Sequence, residues 1–319
     1  MIRGHRIRCI LFDLGSTLWT SKDKTALLNM EHTSNQKAMQ VLRSFANDKE
    51  LSSMESKSLG TLLRRTIEQQ IRFETRQNPG YEPDFVLVTM EVLRQLGISK
   101  VDRTLGEDIY EALRIRNFES RLLFDDTLST LADLNQRGFI LGVVTNRHYG
   151  GRPFYEDLQT MGLLDYFEYD LMAISADLGI RKPNPAIFMH ALNRLNVPPE
   201  EAAMVGDSLK ADILGAKMLN ILAIWKPNAS LREEAKVAWM SSYTATRQHQ
   251  THIRVEQSTG TVTDDAPPEA FEDENKTSLT DDYLLSYVYN RDGQRHHPIQ
   301  DDIKPDIIIE NLKDLLGIF

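Results

Sequence analysis

The sequence predicts an α/β protein: a doubly wound parallel sheet with an all-helical subdomain inserted after its first strand. Three observations carry this. Short apolar runs alternate with helix-like stretches, the texture of parallel strands covered on both faces. The runs around residues 9–12, 139–144 and 202–206 each stop at a polar residue. Between Leu18 and residue 118 the strand signal lapses, and apolar residues recur only at helical spacing.

The first strand, Cys9 to Phe12, halts at Asp13 and enters a turn marked by Gly15 and Ser16. Ligands of open α/β sheets bind beyond the carboxyl ends of the strands. An acid there meets a ligand while its backbone stays anchored in the core, although Asp is also an ordinary turn residue. Helices are expected over 33–48, 58–77, 83–97 and 105–118. Apolar residues in the third are too dense for one stripe, which makes it a buried helix. Pro83-Asp84 opens it and Gly97 closes it.

From Asp125 onward the alternation begins. Thr127 to Arg137 is an amphipathic helix stopped by Gly138. A strand from Phe139 to Val144 ends at Thr145-Asn146, and a helix near 153–161 ends at Gly162. Tyr169 to Ile174 reads as a strand, and 184–195 as a helix after Lys182-Pro183. Ala202 to Gly206 is a strand stopped by Asp207, followed by a helix over 209–219 and a strand from Ile221 to Trp225. The polar stretch 228–300 breaks the rhythm. Segment 230–240 has helical character, and 241–282 is too poor in apolar residues for a packed core. Pro305 to Ile309 is the last strand and Asn311 to Leu316 the last helix. The expected organisation is a core of 1–18 and 119–319, a helical subdomain over 19–118, and a poorly structured insert over 228–300 within the core.

Net charge is −9 over 319 residues, which disfavours non-specific binding to nucleic acid or anionic membrane. No apolar stretch approaches transmembrane length, and Asp13 interrupts the one basic-then-apolar segment that mimics a signal peptide. The expectation is a cytoplasmic protein. The one cysteine, Cys9, cannot form an intramolecular disulfide and reads as a buried apolar residue. His296-His297 lack partners at ligand spacing and read as loop. Trp19 and Trp225 read as packing residues. Arg147 and His148 read as surface loop, ahead of Gly150-Gly151.

In a parallel sheet the polar strand ends converge. Asp13, Thr145-Asn146, the loop holding Lys182, and Asp207 with Asp212 would therefore border one crevice. Carboxylates hold a hard cation such as Mg²⁺. With a lysine and a hydroxyl they position phosphate oxygens for in-line attack.

In these residues the chain resembles the haloacid dehalogenase-like (HAD) hydrolase superfamily, most of whose members are phosphatases. Asp13-Leu14-Gly15-Ser16-Thr17-Leu18 matches its first motif with one departure, and Thr145 its second. Gly179-Ile180-Arg181-Lys182-Pro183 matches the third, and the run from Gly206 to Ala216, with Asp207 and Asp212, the fourth. The resemblance implies a Rossmann-like core and a helical cap that selects substrates. It further implies that Asp13 is the nucleophile and forms an aspartyl-phosphate, that Thr145 and Lys182 hold the phosphoryl group, and that Asp212 orients Lys182 or a metal-bound water. Mg²⁺ would be held by Asp13, the Gly15 carbonyl and Asp207. Asn146 and Ser16 are further candidates for substrate binding, and Ser208 for capping the next helix.

The departure is Gly15, where the family's phosphatases carry a second Asp that protonates the leaving group. Three readings follow. The first is a Mg²⁺-dependent phosphatase acting on a small phosphorylated metabolite. The second is a catalytically weak or inactive HAD-fold protein that binds a partner, the 228–300 insert being a candidate surface. The third is a 2-haloacid dehalogenase-like hydrolase, in which Asp13 attacks carbon.

Overall fold

The computed structural model describes residues 6–45, 59–241, 279–293 and 303–319. They fall into two compact units, Met1–Lys226 with Lys304–Phe319, and Pro227–Ile303.

The first unit is built on a six-stranded sheet. Its strands in chain order are β1 (Cys9–Phe12), β4 (Ile140–Thr145), β5 (Ala173–Ile174), β6 (Ala202–Gly206), β7 (Leu222–Trp225) and β8 (Ile307–Ile308); β2 (Trp19–Ser21) and β3 (Arg121–Leu123) form a separate ribbon. The spatial order is β5-β4-β1-β6-β7-β8, and every pairing is parallel. β1 is central because both its faces are apolar: Cys9, Ile10, Leu11 and Phe12 are all fully buried. Each such side chain stabilises the fold by about 1.5–3 kcal/mol. Register then decides where the polar residues land. Phe12 lies opposite Val143 on one side and Val205 on the other, so Asp13, Thr145 and Asp207 emerge at one edge.

The helices Lys24–Phe45, Leu59–Gln77, Phe85–Gln95 and Arg103–Leu113 pack around a core of their own, in which Leu63, Ile67, Val92, Leu105 and Ile109 are fully buried. Local chemistry starts two of them. Asp84 accepts the N–H groups of Val86 and Leu87 at 2.9 and 3.1 Å, and Asp102 accepts that of Leu105 at 2.9 Å. Such caps contribute about 1 kcal/mol each.

The first unit differs from expectation in several places, among them the first helix of the helical part, which starts at Lys24 rather than at residue 33. Trp19–Ser21 and Arg121–Leu123 form a two-stranded antiparallel ribbon, β2 with β3, where the chain enters and leaves the helical part. Three-residue strands are too short to display a period of two. The 169–174 segment is only half strand: Tyr169–Leu171 is a 3₁₀ turn and β5 supplies Ala173–Ile174. Residues 209–219 begin as a wide π turn, Leu209–Ile213, before the α-helix Leu214–Lys217. The terminal helix is a 3₁₀ turn, Leu312–Asp314, continued by Leu315–Ile318.

In the second unit the helical character expected over 230–240 is found, and residues 281–293, expected to be poorly structured, form a helix. These helices run over 229–241 and Asp281–Gly293. Leu284, Leu285 and Val288 are buried, and Arg291 pairs with Glu234 at 3.3 Å. Three closely spaced apolar residues among acids and serines gave no clear periodic signal. Residues 242–278 and 294–302, with His296-His297, lie outside the described residues, so most of the surface suggested for a partner does too.

Candidate active site

The loops after β1, β4 and β6 bring Asp13, Thr145 and Asp207 to one sheet edge, and the loop before helix Pro185–Leu195 adds Lys182. Lys182 Nζ donates to Asp13 Oδ1 and to the Val144 carbonyl, each at 2.7 Å, and forms an ion pair with Asp212 Oδ1 at 2.7 Å. Its side chain is 2 % exposed and that of Asp212 1 %. Burial pulls the lysine pKa down, but the charges and hydrogen bonds of Asp13 and Asp212 outweigh it and hold the ammonium above its usual range. A buried ammonium between two carboxylates persists only as part of such a set.

The carboxylates of Asp13, Asp207 and Asp212 offer oxygens that all lie within 4.8 Å of one another. Lys182 offsets only part of that charge. Burial, then the negative charges of Asp13 and Asp212, push Asp207 up to about 7. Asp212 is likewise raised by burial, against the pull of Lys182. Crowded buried carboxylates with unquenched negative charge suit a hard divalent cation held by oxygen. The donor set therefore fits Mg²⁺.

The sequence arranges this cluster locally. Asp212 folds back so that its Oδ2 accepts the Ser208 N–H at 2.9 Å, while the Ser208 hydroxyl accepts the Ala211 N–H at 3.1 Å. Ser208 is thus a helix cap, as expected. Gly206 makes room for the fold-back: a Cβ there would lie 2.3 Å from Asp212 Cγ. The glycine of the G-D-S-x-x-x-D pattern is therefore a packing requirement. Gly15 is not. It has no left-handed φ, and a Cβ there would meet only Asp13 Oδ2, at 3.9 Å.

The remaining candidates are placed as follows. Thr145 ends β4 and is buried. Asn146 accepts the Lys182 N–H on Oδ1 at 2.8 Å and donates from Nδ2 to the Lys182 carbonyl at 3.0 Å. It clamps the lysine loop, a role its position in the sequence does not disclose. Ser16, in a left-handed turn at φ 57°, hydrogen-bonds Asp207 through its hydroxyl. Trp19 and Trp225 are buried as expected, and the Trp225 indole donates to the Asp207 carbonyl at 2.8 Å.

Arg147 is not the surface residue expected. Its guanidinium lies over Phe154 and Trp19, 4.4 and 5.5 Å from the ring centroids, and donates to Asn117 Oδ1 at 2.6 Å. Burial lowers its pKa to about 10. Lys226, unremarked in the sequence, is also buried, 3.9 Å from the Phe124 ring centroid, with Nζ 3.4 Å from the Ser16 carbonyl. It follows the apolar run of β7 directly, so the strand-end rule that singled out Asp13 applies to it as well.

The family model for haloacid dehalogenase-like hydrolases matches residues 7–220. The chain is 28% identical over 218 residues to a glyceraldehyde 3-phosphate phosphatase of Methanopyrus kandleri, covering 68% of this chain and 83% of that protein. It is 41% identical over 98 residues to the enzyme of that name from Pyrococcus furiosus, but this match spans only 38% of the relative and 30% of this chain. Among solved structures, a HAD phosphatase from Thermococcus onnurineus aligns at 25% identity and a TM-score of 0.47, over 70% of this chain and 87% of that one.

Proposed function

The chain belongs to the haloacid dehalogenase-like hydrolases, and from that premise we propose that it is a Mg²⁺-dependent phosphatase of small phosphorylated metabolites that works through Asp13. The observation that carries this reading is the Asp13–Lys182 contact of 2.7 Å at the convergence of three strand ends. The phosphatase names of the relatives support the substrate class.

In this reading an Asp13 carboxylate oxygen attacks phosphorus in line, and the leaving-group oxygen departs with a proton. The aspartyl-phosphate so formed is then hydrolysed by water. Lys182 balances charge on Asp13 and on the phosphoryl oxygens, and Thr145 donates its hydroxyl to one of them. Asp212 holds Lys182, and Asn146 holds the loop that carries it. Asp13, Asp207 and the Gly15 carbonyl would hold Mg²⁺. When bound, the cation neutralises and orients phosphate oxygens. The helical body, which this reading treats as a cap, would exclude water and select the substrate. A cytoplasmic setting suits such substrates.

The test is phosphate release from p-nitrophenyl phosphate with and without Mg²⁺, for the natural chain and Asp13→Asn. A fall of roughly a thousandfold or more in Asp13→Asn is expected, by analogy with loss of other nucleophiles. Equal rates would favour the binding-protein reading, for which Gly15 and the 228–300 insert argue. Halide release from 2-haloacids without Mg²⁺ would favour the dehalogenase.

A further inference from the structure

Residues 80–82 lie in the turn between helices Leu59–Gln77 and Phe85–Gln95, pressed against the loop that carries Lys182. Tyr81 bridges Ile180, the Glu82 N–H donates to the Gly179 carbonyl at 3.0 Å, and the Arg181 N–H donates to the Gly80 carbonyl at 3.0 Å. This pairing sets the Glu82 carboxylate, 2 % exposed, 2.7 Å from His148 Nδ1 and 3.5 Å from an Arg181 guanidinium nitrogen. His148 stands three residues beyond Thr145, on the other loop flanking Lys182, and Asn146 ties the two loops together. Its backbone is held as well: the Tyr110 hydroxyl donates to its carbonyl at 3.2 Å. The imidazole is 44 % exposed, so the ring is anchored at Nδ1 and open elsewhere. A buried carboxylate on Nδ1 fixes the tautomer and leaves Nε2 as the working nitrogen.

We propose that His148, oriented by Glu82, is the proton donor and acceptor that this chain uses in place of a carboxyl group at position 15. The inference rests on the Asp13 reading above. As Asp13 forms its bond to phosphorus and the bond to the leaving group breaks, the His148 imidazolium gives its Nε2 proton to the departing oxygen. The products of this half are an alcohol, the aspartyl-phosphate and a neutral imidazole. In the second half the imidazole takes a proton from water as the water oxygen bonds to phosphorus. The bond from phosphorus to Asp13 breaks, phosphate leaves, and the carboxylate and imidazolium are restored. The imidazole pairs with Glu82, whose other carboxylate oxygen meets Arg181, and the His148 carbonyl accepts from Tyr110, over which Arg114 is stacked.

The test uses the full chain with Mg²⁺ and two substrates, p-nitrophenyl phosphate, whose leaving group needs no proton, and β-glycerophosphate, whose leaving group does. Asp13→Asn serves as the control for the covalent reading. His148→Gln is expected to lower kcat/KM for β-glycerophosphate about a hundredfold, to lower it far less for the aryl ester, and to erase the alkaline limb of the pH profile. Glu82→Gln is expected to lower kcat for β-glycerophosphate about tenfold with KM kept, and to lower it far less for the aryl ester, because the ring loses the partner that orients it. Adding Gly15→Asp to His148→Gln should restore turnover of the alkyl ester. If His148→Gln fails to fold, a loss in Glu82→Gln confined to the alkyl ester decides. The proposal is overturned if hydrolysis depends on Asp13 but both variants keep the natural rate ratio and pH profile. Hydrolysis indifferent to Asp13→Asn would overturn the covalent reading and this inference with it.

Discussion

The Asn146 side chain closes two hydrogen bonds on the backbone of Lys182, 36 residues later, through Oδ1 at 2.8 Å and Nδ2 at 3.0 Å. The loop that delivers the lysine is thereby fixed to the strand that delivers Thr145. Asn146→Ala removes both bonds and leaves a part-buried N–H and carbonyl without their protein partners, at a cost of about 1–3 kcal/mol. Chemical denaturation measures that loss. A displaced lysine lowers kcat by roughly ten- to a hundredfold, whereas an asparagine acting only on substrate would raise KM with kcat kept. Steady-state kinetics on p-nitrophenyl phosphate separates the two.

Gly15 and Gly206 respond oppositely to the same added methyl group. At Gly15 the backbone suits any L residue and the nearest atom to a new Cβ is 3.9 Å away. Gly15→Ala should therefore gain about 0.4–1 kcal/mol, by restricting the unfolded chain. At Gly206 the new Cβ would lie 2.3 Å from Asp212 Cγ, so the acid must move and Lys182 loses its second counter-charge. Gly206→Ala should cost several kcal/mol, as overpacking combined with a disturbed buried ion pair does, and should abolish turnover. Thermal melts of the two variants check the contrast, which vanishes if both glycines serve only as flexible turn residues.

The strand ends were legible because a single pattern, an apolar run halted by a polar residue, reports both burial and exposure to a ligand. That pattern located Asp13, Thr145 and Asp207, and read consistently it extends to Lys226. Glu82 left no trace, since its partners His148 and Arg181 are brought to it by packing between a helical turn and two sheet-edge loops. Arg147 was misread because Gly150-Gly151 suggested mobility, while its actual neighbours Trp19, Asn117 and Phe154 are scattered along the chain. The ribbon of β2 and β3 was missed for want of length, and the helix Asp281–Gly293 for want of a periodic apolar stripe.

Cys9 sits in the central strand, fully buried, where burial raises its thiol to about 12 against a slight pull from Arg8. A thiol so held supplies almost no thiolate at pH 8. Iodoacetamide should leave the native protein unlabelled and active, and should add one equivalent in denaturant. Mass spectrometry of the two samples is sufficient. Native-state labelling would mean that β1 opens, and that the strand carrying Asp13 is not the anchored element described here.

The acid cluster ties stability, and with it the proposed metal binding, to pH. Asp207 is raised above its unfolded value, to about 7, by burial and by its like-charged neighbours. A carboxylate raised in the folded state favours folding when protonated. Its contribution is complete below the unfolded pKa near 4 and is lost as pH rises through about 7. Metal-free protein should therefore lose stability across that interval, and Mg²⁺, which needs the ionised form, should restore it chiefly at the alkaline end. At a hundredfold excess over Kd a ligand adds about 2.7 kcal/mol, several degrees in Tm for a domain of this size. Melts at pH 5.5 and pH 8, with chelator and with saturating Mg²⁺, should show a small shift at the lower pH and a large one at the higher. In Asp207→Asn the shift should shrink at both, because the variant lacks the charge that the cation needs. Equal shifts at the two pH values would mean that the cation binds away from Asp207, and the assignment of Asp13, the Gly15 carbonyl and Asp207 as its ligands would fall.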